Sequence, residues 1–200
     1  MNLSLINRFL VPHRILDIGA NIGQFRTQAS ATWPGSYIFS IEASTACEPF
    51  LKKITDDYII CMLAKDGLEY DFFQRKNDPT STGNSMYREL TDFFTDDQLN
   101  IIKKDGIKLD DLMNNDNKYD LIKIDTQGSE LDVIEGGKEI CSKAKAMLLE
   151  VSYTEYNKDA PLSEEVINYM KDFKFKPAAV IGVQMNHGSY QEDILFLNER

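Results

Sequence analysis

The chain has 200 residues, 42% of them hydrophobic, and a formal net charge of −10. This length suits one α/β domain, 1–200, with enough apolar chain for a core, and the acidity weighs against a nucleic-acid partner, because non-specific affinity for a phosphate backbone needs a basic surface. No apolar run reaches the ~20 residues of a membrane helix and the N-terminus lacks the basic-then-apolar order of a secretion signal, so the expectation is a cytoplasmic protein without membrane insertion.

The run RILDIGANIGQF, Arg14 to Phe25, passes from apolar residues through Asp17 into a glycine-bearing turn and a helix start. Gly19 permits a sharp turn, and Gly23 lets the following helix lie close to a ligand or to the sheet. The glycines stand as GxxxG and not as the GxGxxG that cradles a dinucleotide pyrophosphate. A carboxylate at Asp17 repels pyrophosphate but accepts hydrogen bonds from an ammonium or amide. The run points to S-adenosylmethionine (SAM) over NAD, or else to a plain strand-to-helix turn in another α/β protein. The next strand, YIFSIEAS from Tyr37, ends in Glu42, roughly 20 residues past the loop, where an acid accepts the ribose hydroxyls of a nucleotide. Helix capping is the other use of an acid there, and Ser44 or Thr45 serves that without Glu42.

Strands over 14–17, 37–42 and 58–63, alternating with helices from about 23 and about 45, specify a parallel sheet. From Ala64 to Asp116 the pattern is less regular. LEYDFFQ alternates as a strand, NDPTSTGNS reads as a loop, and Thr95 with Gln98 predicts a capping box before a short helix bearing Leu99 and Ile102. Lys103, Lys104 and Lys108, interleaved with Asp105, Asp110 and Asp111, read as a solvated face. KYDLIKID predicts a central strand ending at Asp125, Ser129 with Asp132 opens a helix, and AMLLEVS is the next strand. Ser163 then caps a helix whose Val166, Ile167, Met170 and Phe173 form an apolar stripe. PAAVIGV and DILFLN close the chain as a hairpin around the loop QMNHGSYQE. Cys47, Cys61 and Cys141 are read as free thiols, and with the two histidines they show no metal-ligand spacing, so no metal is expected.

Taken together, YDLIKIDTQGSELDVIEGG, RILDIGANIGQF and YIFSIEAS resemble the FkbM-type methyltransferase family, a branch of the class I SAM-dependent enzymes. The resemblance runs from about Arg14 to Leu197, with LAKDGLEYDFF and STGNSMYREL similar to the family's central insertion, here about 66–105. It implies a Rossmann-like α/β fold: a seven-stranded, mostly parallel sheet with helices on both faces and the last strand antiparallel between the fifth and sixth. Asp17, Glu42, Asp125 and Glu150 then end strands on one rim, which the loop 184–192 also reaches. The resemblance further implies SAM held by Asp17, by Gly19, Ala20, Asn21 and Gly23 at the methionine moiety, by Glu42 and Ala43 at the ribose, by Leu63 and Ala64 at the adenine, and by Asp125 nearest the methyl group.

Methyl transfer from a sulfonium is an in-line substitution that needs positioning more than covalent catalysis, and a hydroxyl acceptor benefits from a base. Asp125 is the first candidate for that base, the other reading being a structural carboxylate that binds the cofactor ammonium or caps a helix. His187 on the final loop is the second, against the usual exposed and inert loop histidine. Lys123 needs a partner within its apolar strand, and Glu150 on the neighbouring strand is the expected one. Asn84, Ser85, Tyr87, Arg88, Gln127 and Glu150 are candidates for recognising a polar substrate, although surface loops use the same residue types. The reading is a SAM-dependent methyltransferase acting on a hydroxyl of a carbohydrate or small natural product. An N-methyltransferase, a noncatalytic cofactor-binding module and a nicotinamide-dependent oxidoreductase are the alternatives, the last disfavoured by Asp17 and the missing GxGxxG. The sequence leaves the oligomeric state unknown.

Overall fold

Short β-branched runs separated by polar turns build the protein around one large sheet. The computed structural model describes residues 1–113, 118–186 and 188–200. In chain order its elements are β1 (Arg14–Ile18), α1 (Gln24–Thr32), β2 (Tyr37–Glu42), α2 (Glu48–Leu51), β3 (Tyr58–Ile60), β4 (Met62–Leu63), β5 (Glu69–Arg75), β6 (Leu99–Ile107), α3 (Leu109–Leu112), β7 (Leu121–Ile124), α4 (Glu130–Gly136), α5 (Lys138–Ser142), β8 (Ala146–Ser152), α6 (Ser163–Asp172), β9 (Phe175–Asn186) and β10 (Ser189–Asn198). The large sheet has the order β3-β2-β1-β7-β8-β10-β9, with β10 antiparallel between β8 and β9, as expected from the resemblance. Strand order reverses between β1 and β7, and ligands of open α/β sheets bind outside the carboxyl ends at such a point.

Strand alternation sorts the sheet's two faces. One face presents Leu16, Ile18, Ile122, Ile124, Met147 and Leu149 to a core completed by α4, α5 and α6. The other presents Ile15, Ile38, Leu121 and Ala146 against α1 and the N-terminal segment. One row nearer the carboxyl end this second face turns polar, because Asp17 pairs in register with Ser40 on one side and Lys123 on the other. Further along, Glu150 faces Asp193 across β8 and β10. The sheet thus grades from hydrocarbon to ionisable groups along a single face.

Several expected elements differ. The strand over 58–63 breaks at Cys61: its amide makes the last bond to β2, at Glu42 O, after which Met62 and Leu63 pair with Gly106 and Ile107 in a second sheet of order β4-β6-β5. The helix expected after Thr95 is only a 3₁₀ turn, Asp96–Gln98, and Leu99 and Ile102 belong to β6, which pairs with β5 over seven registered positions. Alternation in that strand also splits the lysines. Lys103 points out to Asp71 at 2.6 Å, whereas Lys104 is partly buried, donates to Ala43 O at 2.9 Å and lies over the Phe72 ring, so it is not part of a solvated face. The expected loop 184–192 is almost all ladder, since Gln184, Met185 and Asn186 pair with Gln191, Tyr190 and Ser189. Leu162, not Ser163, holds the N-cap position of α6, and its amide donates to Glu165. Ser129 precedes α4 without a side-chain capping bond; the Glu130 carboxylate folds back to take the Thr126 and Gly128 amides.

The double glycine of the sequence is a packing requirement. A Cβ on Gly136 would lie 2.1 Å from the Ala64 carbonyl oxygen, so only hydrogen lets α4 rest on the connection leading out of β4. We expect Gly136→Ala to cost about 1–3 kcal/mol. Urea denaturation checks this, and an unchanged midpoint would refute the close approach.

Candidate active site

The carboxyl ends of β1, β2, β7 and β8, with the amino-terminal half of the antiparallel β10, open into a cavity of about 390 Å³, within the range of small-molecule sites. At one end stands Glu42, nearly buried, its carboxylate held by the Asn21 amide at 2.7 Å and the Ser44 amide at 2.7 Å. Burial raises its pKa against those two bonds. The fixed carboxylate keeps lone pairs for a ligand diol. The glycine turn approaches it by necessity: Gly19 has φ +73°, and a Cβ there would sit 1.8 Å from the Asp125 carbonyl oxygen. Asn21 also adopts a positive φ and donates its side chain to Thr80 O at 2.9 Å, tying the turn to the insertion.

The middle of the cavity is organised by one cation. Lys123 Nζ donates to Gly19 O at 3.0 Å and stands 3.3 Å from Asp125 Oδ2, 3.6 Å from Asp17 Oδ1 and 5.7 Å from the centre of the Phe25 ring. Burial works against its charge, but Asp125 and then Asp17 outweigh it and hold its pKa above the usual lysine value. Glu150 was the expected partner; the in-register Asp17 and the adjacent Asp125 take that place. Glu150 is satisfied instead by neutral amides, those of Gln127, Gln184 at 2.7 Å and Gln191 at 3.3 Å. Gln127 sits in a left-handed conformation, φ +55°, and the same amide donates to Asp125 at 2.8 Å, so it clasps two carboxylates together. Burial, then Asp125 and Asp193, raise Glu150 well above the usual carboxylate pKa.

The cavity wall includes Gly19, Ala20, Asn21, Glu42, Ala43 and Leu63 from the expected cofactor set. Asp125, Asn84, Ser85, Gln127 and Glu150 line it as well. Asp17 is fully buried behind Lys123, and Gly23 and Ala64 lie off the wall. Gly23, at φ +89°, instead makes the turn into α1 where Ile54 and Leu51 leave no room for a side chain. Tyr87 and Arg88 also lie off the wall: the Tyr87 hydroxyl donates to Asp132 at 2.8 Å, and Arg88 binds Phe94 O and Asp96. Asn84 and Ser85 hold the loop itself, Asn84 by donating to Pro79 O at 2.9 Å and Ser85 through Thr126 O and Gln127 O at 2.9 Å. His187 lies outside the described residues. Sequence reasoning brought the segment 184–192 to this rim but did not single out Gln184, Gln191 or Asp193, which line the cavity from the hairpin; the signal for Asp193 was an acid heading the apolar run of DILFLN. Among the described residues, no group of three or more His, Cys, Asp or Glu is placed to hold a metal ion.

The methyltransferase FkbM domain matches residues 17–177. The chain belongs to the FkbM methyltransferase family. Solved structures agree on the fold. A methyltransferase FkbM from Methylobacillus flagellatus KT superposes with a TM-score of 0.60 at 16% identity, covering 98% of this chain and 48% of that one, so this chain spans about half its length. The magnesium protoporphyrin IX methyltransferase of Synechocystis PCC 6803, solved with bound SAM, gives 0.57 at 10% identity over 98% and 74% of the two chains. The N-terminal domain of EvdMO1, solved with S-adenosylhomocysteine (SAH) and D-fucose, gives 0.53 at 10% over 98% and 80%. No curated protein matches the sequence. FkbM enzymes are SAM-dependent, and this cavity fits that cofactor. Glu42 and Asp125 line it, and Lys123, the one lysine among its lining residues, is already paired with Asp17 and Asp125, which suits a ligand bearing ammonium and sulfonium charge and opposes a pyrophosphate.

Buried acids give the FkbM chain a pH signature. Burial lifts Glu130 from 4.5 to about 7, and burial with Asp125 lifts Asp193 from 3.8 to about 6. Each binds its proton more tightly folded than unfolded. Its contribution to stability is therefore complete below the unfolded pKa and lost as pH rises through the folded one. The ligand-free melting temperature should fall between about pH 4 and pH 7, and Glu130→Gln should flatten the upper part of that fall. Parallel pH profiles of wild type and variant would refute the Glu130 assignment.

Proposed function

We propose that this chain transfers the methyl group of SAM to a hydroxyl of a carbohydrate or other small natural product, with Asp125 positioning the acceptor and receiving its proton. The observation that carries this reading is the Asp125 carboxylate, 28% exposed at the cavity and fixed by Lys123 and Gln127. Bound SAM supplies an electrophilic methyl group on a sulfonium. The chain's residues orient and shield. Gly19 to Asn21 pass the methionine moiety, Glu42 accepts the ribose hydroxyls, and Leu63 with Phe72 forms an apolar wall for the adenine. Asp125 orients the acceptor O–H and takes its proton, while the Lys123 ammonium beside it keeps that carboxylate from drifting. D-fucose in the EvdMO1 structure supports a sugar acceptor.

We further propose that the chain works as a single domain and that the insertion, about 66–105, covers the bound cofactor. Its loop bonds to the rim at Asn21, Ser44, Thr126 and Gln127, which supports that placement. An intracellular, cytoplasmic setting fits three cysteines without a disulfide. No helix among the described residues is long and apolar enough to cross a membrane.

Two measurements test the assignment. Glu42→Ala should weaken SAH binding by about 1–3 kcal/mol in calorimetry through the lost charged hydrogen bonds. Asp125→Asn should bind SAM nearly as wild type yet lower single-turnover methylation by about 10²-fold or more. Weak binding with a normal rate at saturating SAM would make Asp125 a cofactor anchor and end its role as base.

A further inference from the structure

Where β10 lies beside β8, the cavity holds a carboxylate that the described residues leave without a hydrogen bond. Asp193 is 3% exposed and lines the cavity, while the amide donors around it go to Glu150. The two acids face each other directly in the β8–β10 register, an arrangement of like charges that is unfavourable across strands. Lys123 does not resolve it, being bound to Gly19, Asp125 and Asp17. Neither Lys123 nor the amino terminus forms an ion pair with Asp193 among the described residues, although both act on it through space. The neighbouring strand makes room for the carboxylate: Gly182 is its register partner on β9, and a Cβ there would lie 2.2 Å from Asp193 Oδ2. The amino-terminal Met1 lines the same cavity and its ammonium favours the charged form of Asp193, but among the described residues no hydrogen bond from it reaches the carboxylate, which is left open to a cationic donor on a ligand.

We infer that the acceptor is an amino sugar whose ammonium docks on Asp193 with Glu150 behind it, leaving a neighbouring hydroxyl to be methylated. The inference rests on the methyl-transfer reading above and names its substrate class. It also separates the handle from the nucleophile. An ammonium paired with a carboxylate keeps its proton and has no lone pair for attack, so the methyl group goes to oxygen. In the transfer the C–O bond forms as the C–S bond breaks, the sulfur keeps that electron pair, and the hydroxyl proton passes to Asp125.

The test uses the full chain loaded with SAH and titrated, by ligand-observed NMR, with D-glucosamine, N-acetyl-D-glucosamine and D-glucose. D-glucosamine should bind about 10-fold or more tightly than the two neutral sugars, the scale of a charged hydrogen bond. Asp193→Asn should remove that preference while SAH affinity stays within about two-fold, which also reports an intact fold. Equal binding of the three sugars, or no binding of D-glucosamine, overturns the inference. A loss of SAH affinity in Asp193→Asn also overturns it, by making Asp193 an anchor for the cofactor. If the wild-type chain fails to bind SAH at all, the methyl-transfer reading falls instead.

Discussion

One buried ammonium holds this site together. Lys123 sits on a central strand with almost no solvent, bound to the Gly19 carbonyl and flanked by Asp17 and Asp125. Removing an ammonium from water costs several kcal/mol, and only paired charges and hydrogen bonds recover it. Each partner comes from a different part of the architecture: Asp17 from the neighbouring strand in register, Asp125 from two residues on along the same face, and Gly19 from the turn between β1 and α1. The lysine therefore fixes the relative positions of the glycine turn and the reactive rim. Its charge is consumed in doing so, which leaves the rest of the cavity acidic.

The acidity has a simple geometric origin. Along the α1 face of the sheet, rows of Ile, Leu and Ala give way to a row of Ser40, Asp17 and Lys123, and then to the Glu150–Asp193 pair at the rim. A strand with period-two alternation puts every second residue on one face, so a few ionisable side chains two residues apart produce a polar wall above a dry base. Neutral amides from Gln127, Gln184 and Gln191 then hold Glu150 in place. Such a wall favours cationic groups, and the SAM of an FkbM methyltransferase carries two.

The insertion contributes through backbone carbonyls more than through the side chains that sequence reasoning singled out. Thr80 and Pro79 offer their carbonyls to Asn21 and Ser44, and Ser85 closes the loop onto the β7–α4 turn. Tyr87 and Arg88 look like recognition residues in one dimension, but their polar ends are spent on Asp132 and on Phe94 and Asp96. A residue type announces a capacity for hydrogen bonding, and only packing decides where that capacity is used.

Sequence alone determined the sheet and its ligand end, because those rest on local signals. Apolar runs with strand periodicity, the GxxxG turn at Gly19 and Gly23, and acids at the ends of β1, β2 and β8 are all legible without knowing what lies beside them. The capping box at Thr95 misled because local propensity there lost to seven registered strand pairs, and the polar stretch 184–192 read as a loop because ladder bonds do not depend on side-chain polarity. Which carboxylate meets which cation was decided only by tertiary structure. Lys123 is 106 residues from Asp17 in the chain, Asp193 is 43 from Glu150, and cross-strand register, which no local pattern encodes, sets the first pair together and leaves the second facing each other.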